Sequence, residues 1–435
     1  MDFKRRLSLL SPPRADALPA QTLPERSVLA DTLHELRHKM AEILRDSAFQ
    51  PAYFGAPREL ELAATPGAST LPFEREETRS GPLFRRHQVL ARSHHVGRMP
   101  VDAAASSSSE ILGLLALDPK ISQSDPRRAL YFDTETTGLG GGAGVLAFLV
   151  GLCWFDRELR LHSEQFLLRS PSEELPLLEA LAERVEAADL LVSYNGKAFD
   201  LPLLNGRMVM NRRAKLPERA HLDLLHVARR LHKARLGPCR LISLESDVLG
   251  FERGPDIAGV DIAPRYAHFL RSGDDSALEP VIEHNAWDVV SMAALVGLYG
   301  EPFELLHERD LLGLARTFKR VRAFEQAERA ANAALVRGAG VEAHRAHAEI
   351  AKARGDRATA LLHFEAFAAE IDDPAVFLEL AKIYEHHLRA PASALRWLAQ
   401  GTGESQDLVE RRRARLERKA ARAASHAKKG GKSPA

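Results

Sequence analysis

The chain has 435 residues, 45% of them hydrophobic and 27% charged, a balance that fits a globular protein and excludes a disordered or collagen-like one. That length calls for about two or three domains. The formal net charge of +1 excludes a global electrostatic signal for nucleic acid or membrane, so any such signal must be local.

The first twelve residues carry basic groups and a short apolar patch that Pro12 and Pro13 cut off. No signal peptide or membrane span is expected there, and a cytoplasmic protein follows as the simplest expectation. Residues 27–46 have helical periodicity, residues 51–81 read as loop, and residues 83–99 read as strands with basic residues. The serine run at 106–109 reads as a linker. The two cysteines, Cys153 and Cys239, lack CxxC spacing and read as buried thiols of a reducing compartment.

Residues 126–300 alternate strand and helix patterns, as an α/β domain does. Strands are expected at 129–132, 145–155, 159–168 and 189–194. Helices are expected at 173–187, 199–211 and 281–299. The glycines at 138, 140, 141, 142 and 144 lack the Lys-Ser/Thr of a phosphate-binding loop and read as a hairpin connection.

The apolar run 129–132 breaks into Asp133-Thr134-Glu135. Residues i and i+2 of a strand face the same way, so the two carboxylates project together. They repel unless a cation lies between them, and hard oxygen ligands favour Mg²⁺ or Mn²⁺. Two segments offer further ligands. In Asn195-Gly196-Lys197-Ala198-Phe199-Asp200, the acid stands at a helix start, where a carboxylate is favoured. In His284-Asn285-Ala286-Trp287-Asp288, His284 and Asp288 lie four apart on one face of an apolar helix. Asp223, after an apparent strand, reads as a helix cap or a support for the site rather than a ligand. Between these segments, residues 206–240 gather Arg207, Arg212, Arg213, Lys215, Arg219, Arg229, Arg230, Lys233, Arg235 and Arg240 against Glu218 and Asp223. Such a segment could track a phosphate backbone.

Residues 303–403 repeat. Ala315, Ala348 and Ala381 are 33 apart, and Ala327, Ala360 and Ala394 are 33 and 34 apart. That register resembles tetratricopeptide helix pairs, which repeat at about 34 residues. Residues 410–435 hold ten Lys or Arg against Glu410 and Glu417 and read as a basic tail, frayed at its end.

Phe-Asp-x-Glu-Thr-Thr-Gly, Asn-Gly-x-x-Phe-Asp-x-Pro-x-Leu and His-Asn-x-x-Asp stand in that order over residues 126–300. Together they resemble the three motifs of the DEDD (DnaQ-like) 3′→5′ exonucleases. With the repeats behind them, the chain looks like the YprB-type proteins, also called mitomycin-repair exonuclease B. The resemblance implies an α/β, ribonuclease H-like mixed sheet flanked by helices, followed by an all-α tetratricopeptide-like repeat domain. The expected layout is an N-terminal region 1–105, an exonuclease domain 106–300 with its core at 126–300, repeats 303–403 and a basic tail 404–435.

The same resemblance implies Asp133, Glu135, Asp200 and Asp288 as ligands of two divalent cations, Mg²⁺ or Mn²⁺, and His284 as general base. It implies Thr136, Thr137 and Leu139 beside the terminal nucleotide and Asn195 and Phe199 beside the next. It also implies nucleic acid as substrate, DNA ahead of RNA, and a DNA helicase as partner of the repeats in repair. The histidine branch of the superfamily places its His five residues before the last Asp and the tyrosine branch its Tyr four before. Here His284 stands in the tyrosine slot. The alternatives are a ribonuclease using the same site and a non-catalytic nucleic-acid-binding adaptor.

Overall fold

The computed structural model describes residues 71–138, 144–300, 303 and 306–430, apart from the side chains of 426–430. The helix expected at 27–46 and Leu139 lie outside these residues. Nine strands are described: β1 (Glu74–Thr78), β2 (Gly81–Leu90), β3 (His95–Val96), β4 (Met99–Pro100), β5 (Ala129–Thr136), β6 (Ala147–Phe155), β7 (Leu161–Leu167), β8 (Leu190–Ser193) and β9 (Ala220–Asp223). β3 and β4 form a separate two-stranded ribbon. The other seven form one mixed sheet in the order β1-β2-β7-β6-β5-β8-β9. β5 pairs antiparallel with β6 and parallel with β8, so it is an interior strand, and its residues are buried on both faces.

The helices around this sheet are α1 (Ser109–Ala116), α2 (Glu174–Ala187), α3 (Asp200–Met210), α4 (Leu224–Leu236), α5 (Gly259–Ser272) and α6 (Glu279–Gly300). This is a ribonuclease H-like mixed sheet with flanking helices, followed by an all-helical part. One core cluster gathers Tyr131, Cys153, Val192, Leu222, Leu231 and Leu295. The other gathers Phe132, Phe148, Phe166, Leu181, Leu204 and Tyr266. Alternate residues of β5 enter alternate clusters, as a strand buried on both faces requires. Both cysteines are free and buried.

The expected boundary at residue 105 is displaced. β1 and β2 extend the main sheet by pairing β2 with β7, so residues from 74 onward belong to this domain. β1 reads Glu-Arg-Glu-Glu-Thr and is mostly exposed, so it has no apolar alternation to announce it, and its loop reading fails for that reason. The serine run is not a linker either. Ser107 is buried, and its hydroxyl donates to the carbonyls of Ala103 and Val296 at 3.2 and 3.1 Å. Ser108 caps α1 by accepting from the Ile111 N–H at 3.3 Å.

Beyond α6 come α7 (Glu308–Arg320), α8 (Phe324–Val336), α9 (Val341–Arg354), α10 (Arg357–Ala368), α11 (Pro374–His386), α12 (Pro391–Ala399) and α13 (Gln406–Gly430). The alanines at 315, 348, 381, 327, 360 and 394 are all buried, where small side chains let helices approach closely. Asp356 and Asp373 cap α10 and α11, and Pro374 takes the first helical position of α11. Leu311, Leu314, Phe318 and Ala330 share the core cluster of Leu231 and Leu295, so the first helix pair is continuous with the sheet domain.

The junction is polar as well as apolar. Asp310 of α7 takes the guanidinium of Arg235 at 2.6 Å and lies 3.0 Å from Nδ1 of the fully buried His232. Nε2 of His232 lies 3.0 Å from the Tyr299 hydroxyl. The basic tail is helical over Gln406–Gly430, as α13, and the end expected to fray, residues 431–435, lies outside the described residues. Leu416 of α13 is buried with Ala394 and Leu398, and Glu385 of α11 accepts from Arg415 at 2.7 and 2.8 Å and from Lys419 at 2.8 Å. No helix among the described residues is long and apolar enough to cross a membrane.

Two outcomes test this packing. A Cβ at Gly313 would stand 2.6 Å from the Leu231 carbonyl oxygen, so Gly313→Ala should cost about 1–3 kcal/mol in denaturant unfolding. Burial pushes the Glu385 carboxyl up, but Arg415 and Lys419 outweigh it and hold it at about 2, against an ordinary 4.5. Its contribution is therefore complete above about pH 4.5 and is lost as pH falls toward 2. Thermal unfolding across that window should show a loss that Glu385→Gln flattens.

Candidate active site

The site is built at the C-terminal end of β5. Asp133 pairs across the ladder with Gly151 of β6, and Gly151 with Gln165 of β7. Over this row runs α6, and its fully buried Asn285 is set into it. The Asn285 amide donates to Asp133 Oδ2 at 3.0 Å, while its oxygen accepts from Gln165 Nε2 at 3.0 Å. Gln165 also donates to the Ile282 carbonyl at 2.8 Å, holding α6 down. Gly151 makes room: a Cβ there would lie 2.2 Å from Asn285 Oδ1. The β5–β6 register shifts between Glu135 and Thr136, a bulge of the kind that re-aims side chains at sheet ends.

Asp200 arrives on the first turn of α3 and accepts from the Thr134 hydroxyl of β5. The loop before it is held by Asp223. The Asp223 carboxylate accepts from Asn195 N–H at 2.8 Å, from Lys197 N–H at 3.2 Å and, as cap of α4, from Leu225 N–H at 3.1 Å. Asp223 is thus a cap and a loop anchor. Asn195 has φ 69°, a left-handed conformation that Asn tolerates better than most residues. A Cβ at Gly196 would lie 2.5 Å from Ser193 Oγ, which explains a glycine there.

His284 and Asp288 share one face of α6, with Nε2 of His284 3.7 Å from Asp288 Oδ2. Nδ1 of His284 is 2.7 Å from Asp256 Oδ1. Arg253 joins these groups. Only 4% of its side chain is exposed; it forks onto the buried Glu245 at 2.7 Å through both Nε and Nη2, and the same Nη2 pairs with Asp288. Its Nη1 lies 3.4 Å from Asp256 Oδ2. The segment containing Arg253 and Asp256 follows a π-helical turn, Glu245–Leu249.

The carboxylates act on one another. Burial first, then Asp288, Asp200 and Glu135, raise the Asp133 carboxyl well above its ordinary range, against the Asn285 hydrogen bond. Burial pushes Glu135 up to about 7; Asp288 and Asp200 add to this while His284 opposes it. Burial also raises Asp200, against the Thr134 hydrogen bond. Burial works against a charged His284, but Asp288, the Asp256 hydrogen bond and Glu135 outweigh it and hold the imidazole above its ordinary value.

Glu135 is 9% exposed yet has no hydrogen bond or ion pair among the described residues. A buried carboxylate without a partner, amid others of its charge, fits a divalent cation held by oxygen ligands. Among the described residues no group of three or more His, Cys, Asp or Glu stands in ligating geometry. Asp288, Asp200 and Asp133 each direct one oxygen at a protein donor.

The expected substrate-side residues divide. The Thr136 hydroxyl donates to the Gly138 carbonyl at 2.9 Å, and the Thr137 hydroxyl accepts from Leu146 N–H at 3.0 Å, so both also shape the hairpin. Phe199 is 59% exposed, a large aromatic face beside Asp200. The basic segment is partly structural: Arg207 pairs with Glu174, Arg213 with Glu179, Arg219 with Glu186 and Arg235 with Asp310, and Arg230 donates to the Leu115 carbonyl. Arg212, Lys215, Arg229, Lys233 and Arg240 have no such partner among the described residues.

Sequence reasoning gave no role to Asn285, Gln165, Arg253, Glu245 or Asp256. Only Gly151, a glycine inside an otherwise apolar strand, signalled the close approach of another element.

Residues 130–299 match the RNase_H_2 family of the RNase_H superfamily. The chain is 41% identical over 167 residues to the uncharacterized protein YprB of Bacillus subtilis (strain 168), a match covering 38% of this chain and 40% of that protein. Among solved structures, a family B DNA polymerase from the hyperthermophilic archaeon Pyrobaculum calidifontis aligns with a TM-score of 0.33 and 14% identity, over 48% of this chain and 28% of that one.

Gly151→Ala should destabilise the protein by about 1–3 kcal/mol in denaturant unfolding. Asn285→Ala in the same chain removes the clashing oxygen, so the two losses should be less than additive, with a coupling of about 0.5 kcal/mol or more.

Proposed function

We propose that this protein is a metal-dependent 3′→5′ exonuclease that hydrolyses phosphodiester bonds of nucleic acid, DNA ahead of RNA, and releases nucleoside 5′-monophosphates. The observation that carries the reading is Glu135, a buried carboxylate without a partner that shares its field with Asp133, Asp200, Asp288 and His284. The order of the three motifs, the match of residues 130–299 and the likeness to YprB support it.

Asp133, Glu135, Asp200 and Asp288 would hold two divalent cations, Mg²⁺ or Mn²⁺, which when bound supply Lewis-acid stabilisation of the phosphate and of the leaving oxygen. The chain's own groups do the rest. His284 acts as the general base for the attacking water. Asn285 fixes the Asp133 carboxylate, and Thr134 fixes that of Asp200. Phe199 offers a face on which a base stacks, beside Asn195, while Thr136, Thr137 and Leu139 border the terminal nucleotide. Arg212, Lys215, Arg229, Lys233 and Arg240 are the cations left to meet phosphates. The helices from α7 to α12 read as tetratricopeptide-like repeats that dock a protein partner, for which a DNA helicase acting in repair is the reading carried over from the family resemblance.

One observation favours a second reading. The Arg253–Asp288 ion pair supplies a positive charge from within the protein, as a non-catalytic nucleic-acid-binding domain could use.

Digestion of end-labelled single- and double-stranded DNA and RNA with Mg²⁺ or Mn²⁺ separates the two. Mononucleotide release from the 3′ end is expected, and Asp133→Ala should abolish it. Activity that survives Asp133→Ala would overturn the mechanism, and binding without cleavage on every substrate would favour the second reading. His284→Ala should lower kcat by about 10²–10⁴-fold while leaving metal affinity nearly unchanged.

A further inference from the structure

His284 is held from outside the three motifs. Its Nδ1 lies 2.7 Å from Asp256 Oδ1, and its Nε2 points toward Asp288 Oδ2 at 3.7 Å. Asp256 is itself fixed. Its Oδ1 also accepts from the Ile257 N–H at 2.8 Å, and its Oδ2 lies 3.4 Å from Arg253 Nη1. Arg253 cannot drift, because its fork closes on the buried Glu245 at 2.7 Å.

A second donor faces the ring, since Arg253 Nη1 is 3.4 Å from His284 Nδ1. The carboxylate contact is 0.7 Å shorter (3.4 against 2.7 Å), and an ionised carboxylate can only accept. Nδ1 therefore carries the proton and donates it to Asp256. In the neutral ring, Nε2 is then left with its lone pair toward the acids of β5 and α6.

We infer that Asp256 is the positioning residue of this site: it fixes the tautomer and ring plane of His284, while Arg253 and Glu245 fix Asp256. A carboxylate that holds a histidine's far nitrogen commonly does this in hydrolytic and metal sites. The consequence for turnover rests on the exonuclease reading; the tautomer does not.

The experiment uses the full chain labelled with ¹⁵N-histidine, with the His284 signals assigned by their loss in His284→Gln. Two-bond ¹H–¹⁵N correlation, recorded at a pH high enough that the ring is neutral, should show His284 protonated at Nδ1 alone in the wild type. Asp256→Ala should move it to a mixture or to the Nε2-protonated form, and Asp256→Glu should restore the wild-type pattern at least in part. Asp256→Leu, close to aspartate in shape but with no hydrogen-bonding group, gives the test a second variant should the alanine protein fail to fold, and it should also release the tautomer. In the nuclease assay, Asp256→Ala and Asp256→Leu should lose about 10–100-fold in kcat with KM and Mg²⁺ dependence unchanged. A His284 held in the Nδ1-protonated neutral form in Asp256→Ala or Asp256→Leu overturns the inference, and so does a tautomer shift that leaves kcat intact in an active enzyme. If the wild type cleaves nothing, the exonuclease reading fails, while a tautomer shift on removing Asp256 still upholds the pairing.

Discussion

Asn285 is the contact on which the site depends. It is one uncharged side chain, fully buried, placed where a long apolar helix crosses the central strands. Its amide restrains Asp133 and its oxygen accepts from Gln165 two strands away. Both ends of a buried amide are satisfied, so the contact specifies one register of helix on sheet and makes every alternative leave a polar group unpaired. The glycine at 151 is the steric half of the same arrangement. The helix lies close enough for Asp288 to join the acids of β5 because the strand beneath Asn285 has no side chain there.

Gathering acids at buried positions is costly, and the protein offsets it in two ways. Thr134 and Asn285 donate neutral hydrogen bonds to Asp200 and Asp133. Arg253 brings a full positive charge to Asp288 and shares it with Glu245. What remains is Glu135, raised to about 7 by burial and by its neighbours. The residual repulsion is the chemical reason the site suits a divalent cation. The helices behind the domain are not loosely tethered: the Asp310 cluster and a shared apolar core bind α7 to α4 and α6.

The sequence was legible wherever function is written in local chemistry. The acids at 133 and 135 were visible because a polar pair interrupts an apolar strand. Asp200 and Asp288 were visible because each sits at a spacing that a helix start or a helix face makes meaningful. The central strands, α2, α3 and α6 fell close to their expected bounds, since their periodicities are strong. β1 was not legible, because an exposed edge strand of charged residues has no face to bury. The serine run misled because its composition is that of a linker, while its hydroxyls serve as a cap and as a bond to α6.

By itself, then, the sequence determined the fold class and made the candidate acids and the 33- to 34-residue spacing of alanines legible, because those rest on short-range periodicity and on motifs read along the chain. Only the tertiary structure decided what surrounds them. Gln165 and Gly151 meet Asn285 across more than a hundred residues of chain, a pairing that no local pattern encodes. Arg253 and Asp256 lie among ordinary polar residues of a connecting segment and acquire meaning only when α6 brings His284 and Asp288 against them. Half of the basic segment looked like a phosphate track and turned out to be paired with groups of the protein itself. Whether a cation meets solvent alone or an acceptor of the protein is a property of packing and not of composition.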